Sequence, residues 1–136
     1  MNRNQYKHTT TLFVIKMIET DVFSTRDEMM QLLRSGNPGV VVIKYGAEWC
    51  GPCKKIEEFV KQNMNLMPEK VRCITIDIDE AFDAYAFLKS KKIVSGIPAI
   101  LAYFQDNIHY VPDLVVLGTD TSEIKTLFDT CYKKVE

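Results

Sequence analysis

The sequence predicts an α/β domain with a mixed β-sheet of about five strands and about four helices. Short apolar runs alternate with segments in which apolar residues recur every three or four positions, in the order β-α-β-α-β-α-β-β-α. The strand–helix alternation implies parallel strands joined by right-handed crossovers. The two consecutive strands before the last helix imply an antiparallel hairpin. A chain of 136 residues can bury one core without cross-links, so we expect a single domain.

Five segments are predicted to form the strands. Residues 12–18 are apolar apart from an interrupting lysine and are expected to form an edge strand. Residues 40–43 are a continuous β-branched run, which is the pattern of a strand covered on both faces. The remaining predicted strands are residues 71–78, residues 99–104, and a segment that follows a turn at 105–107 and ends near Leu117.

The helices are predicted from their caps and their apolar spacing. Ser24 and Thr25 are candidate N-caps, and Glu28 stands where a capping box has its carboxylate. Gly36 and Pro38 end this first helix. Three further helices are predicted: one begins near Cys53 and breaks at 63–68, one covers 81–91, and one follows Thr121 or Ser122 as its N-cap.

The most informative stretch is Trp49-Cys50-Gly51-Pro52-Cys53, where the apolar run 40–45 gives way to a helical pattern. A two-residue spacing at a helix start lets the two sulfurs form a disulfide that opens and closes reversibly. The helix N-terminus favours a thiolate on the first cysteine. Pro52 is tolerated at an early helical position, and Gly51 leaves the approach to Cys50 open. We therefore predict a redox site with Cys50 as nucleophile and Cys53 as resolving thiol.

The alternative for this motif is half of a zinc site. Structural zinc normally needs four ligands, usually supplied as two closely spaced pairs. The remaining candidates are single and scattered along the chain: Cys73, Cys131, His8 and His109. The missing second pair favours redox chemistry, and we expect no metal.

Composition and charge argue against several classes of function. A net charge of −1 and a pI near 6.1 give no electrostatic reason to expect nucleic acid or an anionic membrane as a partner. No apolar stretch approaches the ~20 residues of a membrane span. Residues 1–11 are polar and are expected to form a flexible tail before a domain at 12–136, and residues 12–15 are too short for a signal-peptide core. We expect a cytoplasmic protein, in which a Cys-x-x-Cys is more often catalytic than structural.

The run from Ala47 to Lys54, followed much later by Gly96-Ile97-Pro98, resembles the thioredoxin family, and the resemblance covers about residues 12–136. It implies a thioredoxin fold, a central sheet flanked by helices with the disulfide at the tip of a strand. It further implies that the protein reduces disulfides of other proteins and is recharged by a thioredoxin reductase drawing on NADPH. We expect a monomer. No bound cofactor is implied, since the Cys50–Cys53 disulfide is itself the redox group.

The resemblance also implies the second half of the site. The Ile97–Pro98 bond would be cis and would face Cys50, turning the Ile97 backbone outward so that a substrate peptide pairs with it as an added strand. The surface for protein substrates would comprise Trp49, Gly51, Pro52, Gly96, Ile97 and Pro98. Two simpler interpretations remain: an ordinary trans proline at a strand start, and a core tryptophan at position 49.

Two positions depart from the family pattern. Lys44 occupies the place of a buried aspartate, and Thr75 occupies that of its lysine partner. Lys44 is predicted to tune the thiol pKa values, either as a cation or as a base after losing its proton. Alternatively its ammonium reaches the surface or pairs with an acid such as Glu48. Cys73 and Cys131 are most simply small buried residues, with a bridge through Cys131 as the minor alternative.

The substitution at position 44 leaves a second functional hypothesis open. The chain could be a binding module that holds a partner on the Pro98 face, with turnover weakened because Lys44 replaces the buried aspartate. A third hypothesis is a disulfide oxidase or isomerase. The Gly-Pro pair between the cysteines, and the absence of an export signal in this sequence, argue against the third.

Overall fold

The computed structural model describes residues 17–136, so the tail expected at 1–11 lies outside the described residues. Within that range the elements follow the predicted order. The strands are β1 (Glu19–Thr20), β2 (Val40–Gly46), β3 (Val71–Asp77), β4 (Ala99–Phe104) and β5 (Leu114–Leu117). The helices are α1 (Arg26–Ser35), α2 (Gly51–Asn65), α3 (Phe82–Ser90) and α4 (Thr121–Val135).

The strands form one mixed sheet in the order β1-β3-β2-β4-β5, which confirms the predicted architecture. β1, β3 and β2 run parallel, and β4 and β5 are antiparallel. The central strand β2 is buried from Val40 to Tyr45, as the β-branched run predicted. Its register places Lys44 opposite Thr75 on one side and Ile100 on the other.

The two faces of the sheet carry two separate cores. Successive strand residues point to opposite faces. Val40 and Val42 accordingly pack with apolar residues of α2 and α4. Val41 and Ile43 pack with apolar residues of α1 and α3. This alternation places the side chain of the next even-numbered residue, Lys44, on the α2 side.

The first strand differs from its predicted bounds. Residues 12–16 of that prediction lie outside the described residues, while residues 17–18 precede the strand, so the prediction is wrong there. β1 is polar and is held by specific bonds. Arg72 donates to the Glu19 carboxylate at 2.6 and 2.7 Å, and Asp77 N donates to Asp21 Oδ1 at 2.8 Å. A search for apolar runs does not detect such a strand.

The predicted caps have mixed outcomes. The capping box at α1 is confirmed: Thr25 is the N-cap, and Glu28 Oε1 accepts from Thr25 N at 3.0 Å. Backbone hydrogen bonds from Ser24 and Thr25 lower the pKa of Glu28 to about 2. At α4 the prediction is wrong by one residue, because Asp120 is the N-cap. The Asp120 carboxylate accepts hydrogen bonds from the backbone amides of Ser122 and Glu123.

A buried tyrosine lies in β2, just before the cysteine motif. Tyr45 packs its ring against Phe23 and Tyr85, with ring centroids 6.3 and 6.2 Å apart, and is fully buried. Its hydroxyl donates to Met29 Sδ at 3.4 Å, and a thioether sulfur is a weak acceptor. Burial raises the pKa of Tyr45 well above its usual value. Tyr103 differs, because its hydroxyl donates to the carbonyl of Tyr110 at 2.8 Å.

This contrast gives a matched pair of variants. Tyr103→Phe is expected to lower the free energy of unfolding by about 1 kcal/mol, since it removes a hydrogen bond to a carbonyl. Tyr45→Phe is expected to leave that free energy unchanged or to raise it, because the lost bond is weak and the buried hydroxyl costs desolvation. Urea titration of the three proteins measures both values. A larger loss for Tyr45→Phe than for Tyr103→Phe would contradict this account.

Candidate active site

Two cysteines meet at the C-terminal end of the central strand. β2 ends at Gly46, and the chain turns through residues 47–49 into α2, whose N-cap is Cys50. Cys50 and Cys53 form a disulfide, with their Cα atoms 5.3 Å apart. The helix begins at Gly51, two residues before its predicted start. Pro52 lies in the first turn, where its missing N–H leaves no bond unmade.

The start of α2 directs a hydrogen-bond donor at one of the sulfurs. Cys53 N donates to Cys50 Sγ at 3.2 Å. An N-terminal amide of a helix carries partial positive charge and stabilises a thiolate that accepts from it. Both cysteines are equally buried in the disulfide form, at 5% exposed. Hydrogen bonding therefore distinguishes the two sulfurs, whereas exposure does not.

The second predicted segment faces this disulfide. The Ile97–Pro98 bond is cis, and Ile97 O lies 4.0 Å from Cys50 Sγ. Pro98 is buried at the start of β4, and its carbonyl accepts from Gly118 N at 3.0 Å. The structure thus brings together residues separated by 47 positions in the sequence.

The glycines of the predicted substrate surface border open space. A Cβ atom built on Gly51 or on Gly96 would have no neighbour within 4 Å. Pro52 is exposed, and Ile97 is half-buried. Within residues 17–136, the backbone N–H and C=O of Ile97 make no hydrogen bond to another backbone group. An approaching chain would therefore find both groups of this residue unpaired.

Trp49 is 67% exposed, so the alternative of a core tryptophan is wrong. Its indole Nε1 donates to Asp79 Oδ2 at 2.8 Å, which fixes the ring beside the cysteines. Asp79 follows β3, whose C-terminal end lies at the same sheet edge as that of β2. This contact was not predicted from the sequence. The available signal was an acidic residue directly after the neighbouring parallel strand.

Lys44 lies behind the disulfide and is 9% exposed, and its side chain lines a cavity that opens to solvent, so the alternative of an ammonium that reaches the surface stays a prediction. Burial lowers its pKa, and the charge of Glu57 opposes that shift. The predicted pairing with Glu48 is wrong, since the carboxylate that acts on Lys44 belongs to Glu57. Glu57 lies one helical turn after Cys53 and therefore on the same side of α2, a spacing that was visible in the sequence.

A cavity of about 240 Å³ opens beside these residues. Five charged side chains other than Lys44 line it: Asp21, Glu48, Lys54, Glu57 and Asp77. Cys53 lines it too, so the cavity reaches one sulfur of the disulfide. Acidic side chains outnumber basic ones around the space that Lys44 faces.

The remaining cysteines are buried away from the surface. Cys73 and Cys131 are both fully buried, which agrees with their prediction as small core residues. Burial raises the pKa of Cys131 to about 12, and Cys73 adds to the shift.

Across residues 17–136, no three His, Cys, Asp or Glu side chains lie close enough to hold a metal ion. No helix of that part of the chain has the length and apolarity to cross a membrane.

Comparison with known proteins agrees with this geometry. The sequence model of the thioredoxin family matches residues 19–125. Thioredoxin 3 of Plasmodium falciparum is 27% identical over 125 residues, which cover 89% of this chain and 66% of that protein. Thioredoxin of Bacillus subtilis is 40% identical over 63 residues, covering 46% of this chain and 57% of that protein. The chain thus spans less than two thirds of these curated relatives.

A solved structure supports the same assignment at the level of the fold. Thioredoxin of Malassezia sympodialis superposes with a TM-score of 0.65 at 22% identity, covering 92% of this chain and 99% of the other. The family match covers most of the described residues and includes both cysteines and Pro98. The chain belongs to the thioredoxin family.

Proposed function

We propose that this protein is a thiol–disulfide oxidoreductase that reduces disulfides of other proteins through Cys50 and Cys53. The observation that carries the proposal is the amide of Cys53, which donates to Cys50 Sγ at the N-terminus of α2. A sulfur in that position is stabilised as a thiolate, and the thiolate is the nucleophile of disulfide exchange.

The proposed reaction has two exchange steps. In the reduced protein the Cys50 thiolate attacks one sulfur of the substrate disulfide, the substrate S–S bond breaks, and a mixed disulfide forms. Cys53 then attacks Cys50 Sγ, which closes the Cys50–Cys53 bond and releases the substrate as a dithiol. The substrate gains two electrons and two protons. A thioredoxin reductase, which the family resemblance implies, would return the two electrons.

The proposed substrate surface comprises Trp49, Gly51, Pro52, Gly96, Ile97 and Pro98. The unpaired N–H and C=O of Ile97 support this proposal, because an extended peptide beside Cys50 would bond to both as an added strand. Trp49 offers an exposed aromatic face held by Asp79. The open space at Gly51 and Gly96 would admit the approaching chain.

A binding module with weak turnover is the second candidate. Buried Lys44 favours it, since no carboxylate stands behind Cys53 at that strand position to accept a proton.

An isomerase is distinguished by its redox potential, because a reductant is expected at about −270 mV and an isomerase at about −180 mV. The cytoplasmic location and the monomeric state remain predictions.

Reduction of insulin in the presence of dithiothreitol tests the proposal. The protein is expected to accelerate insulin precipitation, and Cys50→Ser is expected to abolish the effect because it removes the nucleophile. Cys53→Ser should retain partners as covalent mixed disulfides, since the releasing thiol is missing. Cys50→Ser is the control for that trapping. If the unmodified protein leaves insulin oxidised and still binds partners, the binding module is the better description.

The cysteine roles have a separate test. After reduction, alkylation near neutral pH is expected to modify Cys50 about tenfold faster than Cys53, because the α2 amide favours the thiolate on Cys50. Mass spectrometry of the two modified peptides measures the rates. Buried Cys73 and Cys131 serve as internal controls and should stay unlabelled. Faster labelling of Cys53 would reverse the assignment.

The hydrogen bond between Trp49 and Asp79 allows a third test. Asp79→Ala is expected to raise the KM for insulin about two- to tenfold, since a net hydrogen bond contributes roughly 0.5–1.5 kcal/mol to holding the ring. Reduction of a small disulfide should be unaffected, because it does not need the tryptophan surface. Glu80→Ala removes an exposed neighbouring charge and is the control. Equal effects of the two variants would remove Asp79 from the substrate surface.

A further inference from the structure

Lys44 and Cys53 face the same small space. The alternation along β2 places Lys44 and Gly46 on the α2 side of the sheet. A Cβ atom built on Gly46 would lie 3.4 Å from Cys53 Sγ and 4.0 Å from Lys44 Cε. The end of the lysine stem and the sulfur therefore converge from two sides on the space that Gly46 leaves empty. Both residues also line the cavity of about 240 Å³.

In the disulfide form, no ion pair of 4.0 Å or less joins Lys44 to a carboxylate of the described residues. Partial burial disfavours the charged form and lowers the pKa of Lys44, while the charge of Glu57 opposes that shift. An anion formed beside the ammonium would therefore gain a direct ion pair that the disulfide form lacks.

Charged groups from several elements surround Lys44, and the nearest in effect is Glu57, whose charge raises the pKa of Lys44. Glu57 approaches from α2, and Glu48 lies on the turn that leads into that helix. Asp21 and Asp77 follow β1 and end β3, while Lys54 is the other cation of the cavity. Four carboxylates thus face one further ammonium. Among the described residues, none of these carboxylates lies within 4.0 Å of the Lys44 ammonium, so the position beside it is open to another anion.

We propose that Lys44 is the counter-ion of the Cys53 thiolate in the reduced protein, forming an ion pair that the disulfide form lacks. The proposal rests on the redox function proposed above and concerns how that site is poised. Lys44 is a positioning residue here, since it acts through the charge of Cys53 rather than on a substrate.

The proposed pair forms when the disulfide opens. A thiolate of the reductant attacks Cys50 Sγ, the Cys50–Cys53 bond breaks, and Cys53 leaves with the electron pair as a thiolate beside the Lys44 ammonium. The second thiol of the reductant then attacks the reductant sulfur that is bonded to Cys50 Sγ. Cys50 is released as a thiol and the reductant becomes a disulfide, so two electrons pass to the protein. The proton that Cys53 would otherwise bind remains in solvent. In the forward reaction Cys53 is already ionised and needs no separate base.

The ion pair has two measurable consequences. An opposite charge close to a thiol lowers its pKa by about one unit or more, so the pKa of Cys53 should depend on Lys44. Stabilising the reduced form also makes the protein more oxidising. Loss of the charge should therefore raise the pKa of Cys53 and make the protein more reducing.

The pKa of Cys53 is measured first, in the full chain carrying Cys50→Ser, from the pH dependence of alkylation. Lys44→Met, which keeps the length of the side chain, is expected to raise that pKa by about one unit, seen as a tenfold slower reaction below it. Lys44→Arg should keep the low value. Lys55→Met removes an exposed charge from α2, the helix that carries Cys53, and should leave the pKa of Cys53 unchanged. In the two-cysteine protein, Lys44→Met should shift the glutathione equilibrium about tenfold toward the disulfide, or about 30 mV.

The outcomes separate this proposal from the proposed function. An unchanged Cys53 pKa in folded Lys44→Met overturns the ion pair, even if the protein reduces insulin. An equal shift in Lys55→Met also overturns it, because a general loss of charge would then explain the result. A shift confined to Lys44→Met supports it, whether or not insulin is reduced. Folding of Lys44→Met is checked by thermal unfolding, and removal of a buried unpaired charge should make that variant more stable near neutral pH.

Discussion

The central strand β2 is the constraint on which the site depends. It pairs with a parallel strand on one side and an antiparallel strand on the other, and both of its faces are covered. Its C-terminal end is therefore held by a strand on each side and by packing on each face. The pairing of Tyr45 with Ala99 brings the residue before β4, Pro98, to the same end of the sheet as Cys50. The two segments are distant in sequence and meet there because the strand register fixes both at this end of the sheet.

The start of α2 serves the fold and the chemistry with the same atoms. A helix N-terminus has backbone N–H groups without intrahelical partners, and a side chain usually accepts from them. Here that side chain is the sulfur of Cys50, which occupies the N-cap position. The bond that caps the helix is the one that stabilises a thiolate. Opening the disulfide should therefore strengthen this cap, since a charged sulfur is a better acceptor than a disulfide sulfur.

The sequence was sufficient for most features that depend on local pattern, the N-cap of α4 and the bounds of β1 being the exceptions. The element order, the buried central strand, the capping box at Thr25 and the cysteine pair were all predictable, because each follows from residues close together in the chain. The hydrogen bond of Trp49 to Asp79 and the effect of the Glu57 charge on Lys44 were missed, since both need the packing of separate elements. The cis bond at Pro98 was expected from the family resemblance and not from the neighbouring residues.

Position 44 shows how stability and chemistry make different demands on one residue. The even-numbered residues before it, Val40 and Val42, are apolar and pack under α2 and α4. Continuing that pattern would give the more stable core, because a buried unpaired ammonium costs desolvation. Lysine is tolerated because the apolar layer ends here: Gly46 offers no side chain, Thr75 is polar, and the cavity reaches water. The Lys44 charge faces Cys53 at this position. The same charge therefore lowers the stability of the fold through desolvation and acts on the Cys53 sulfur.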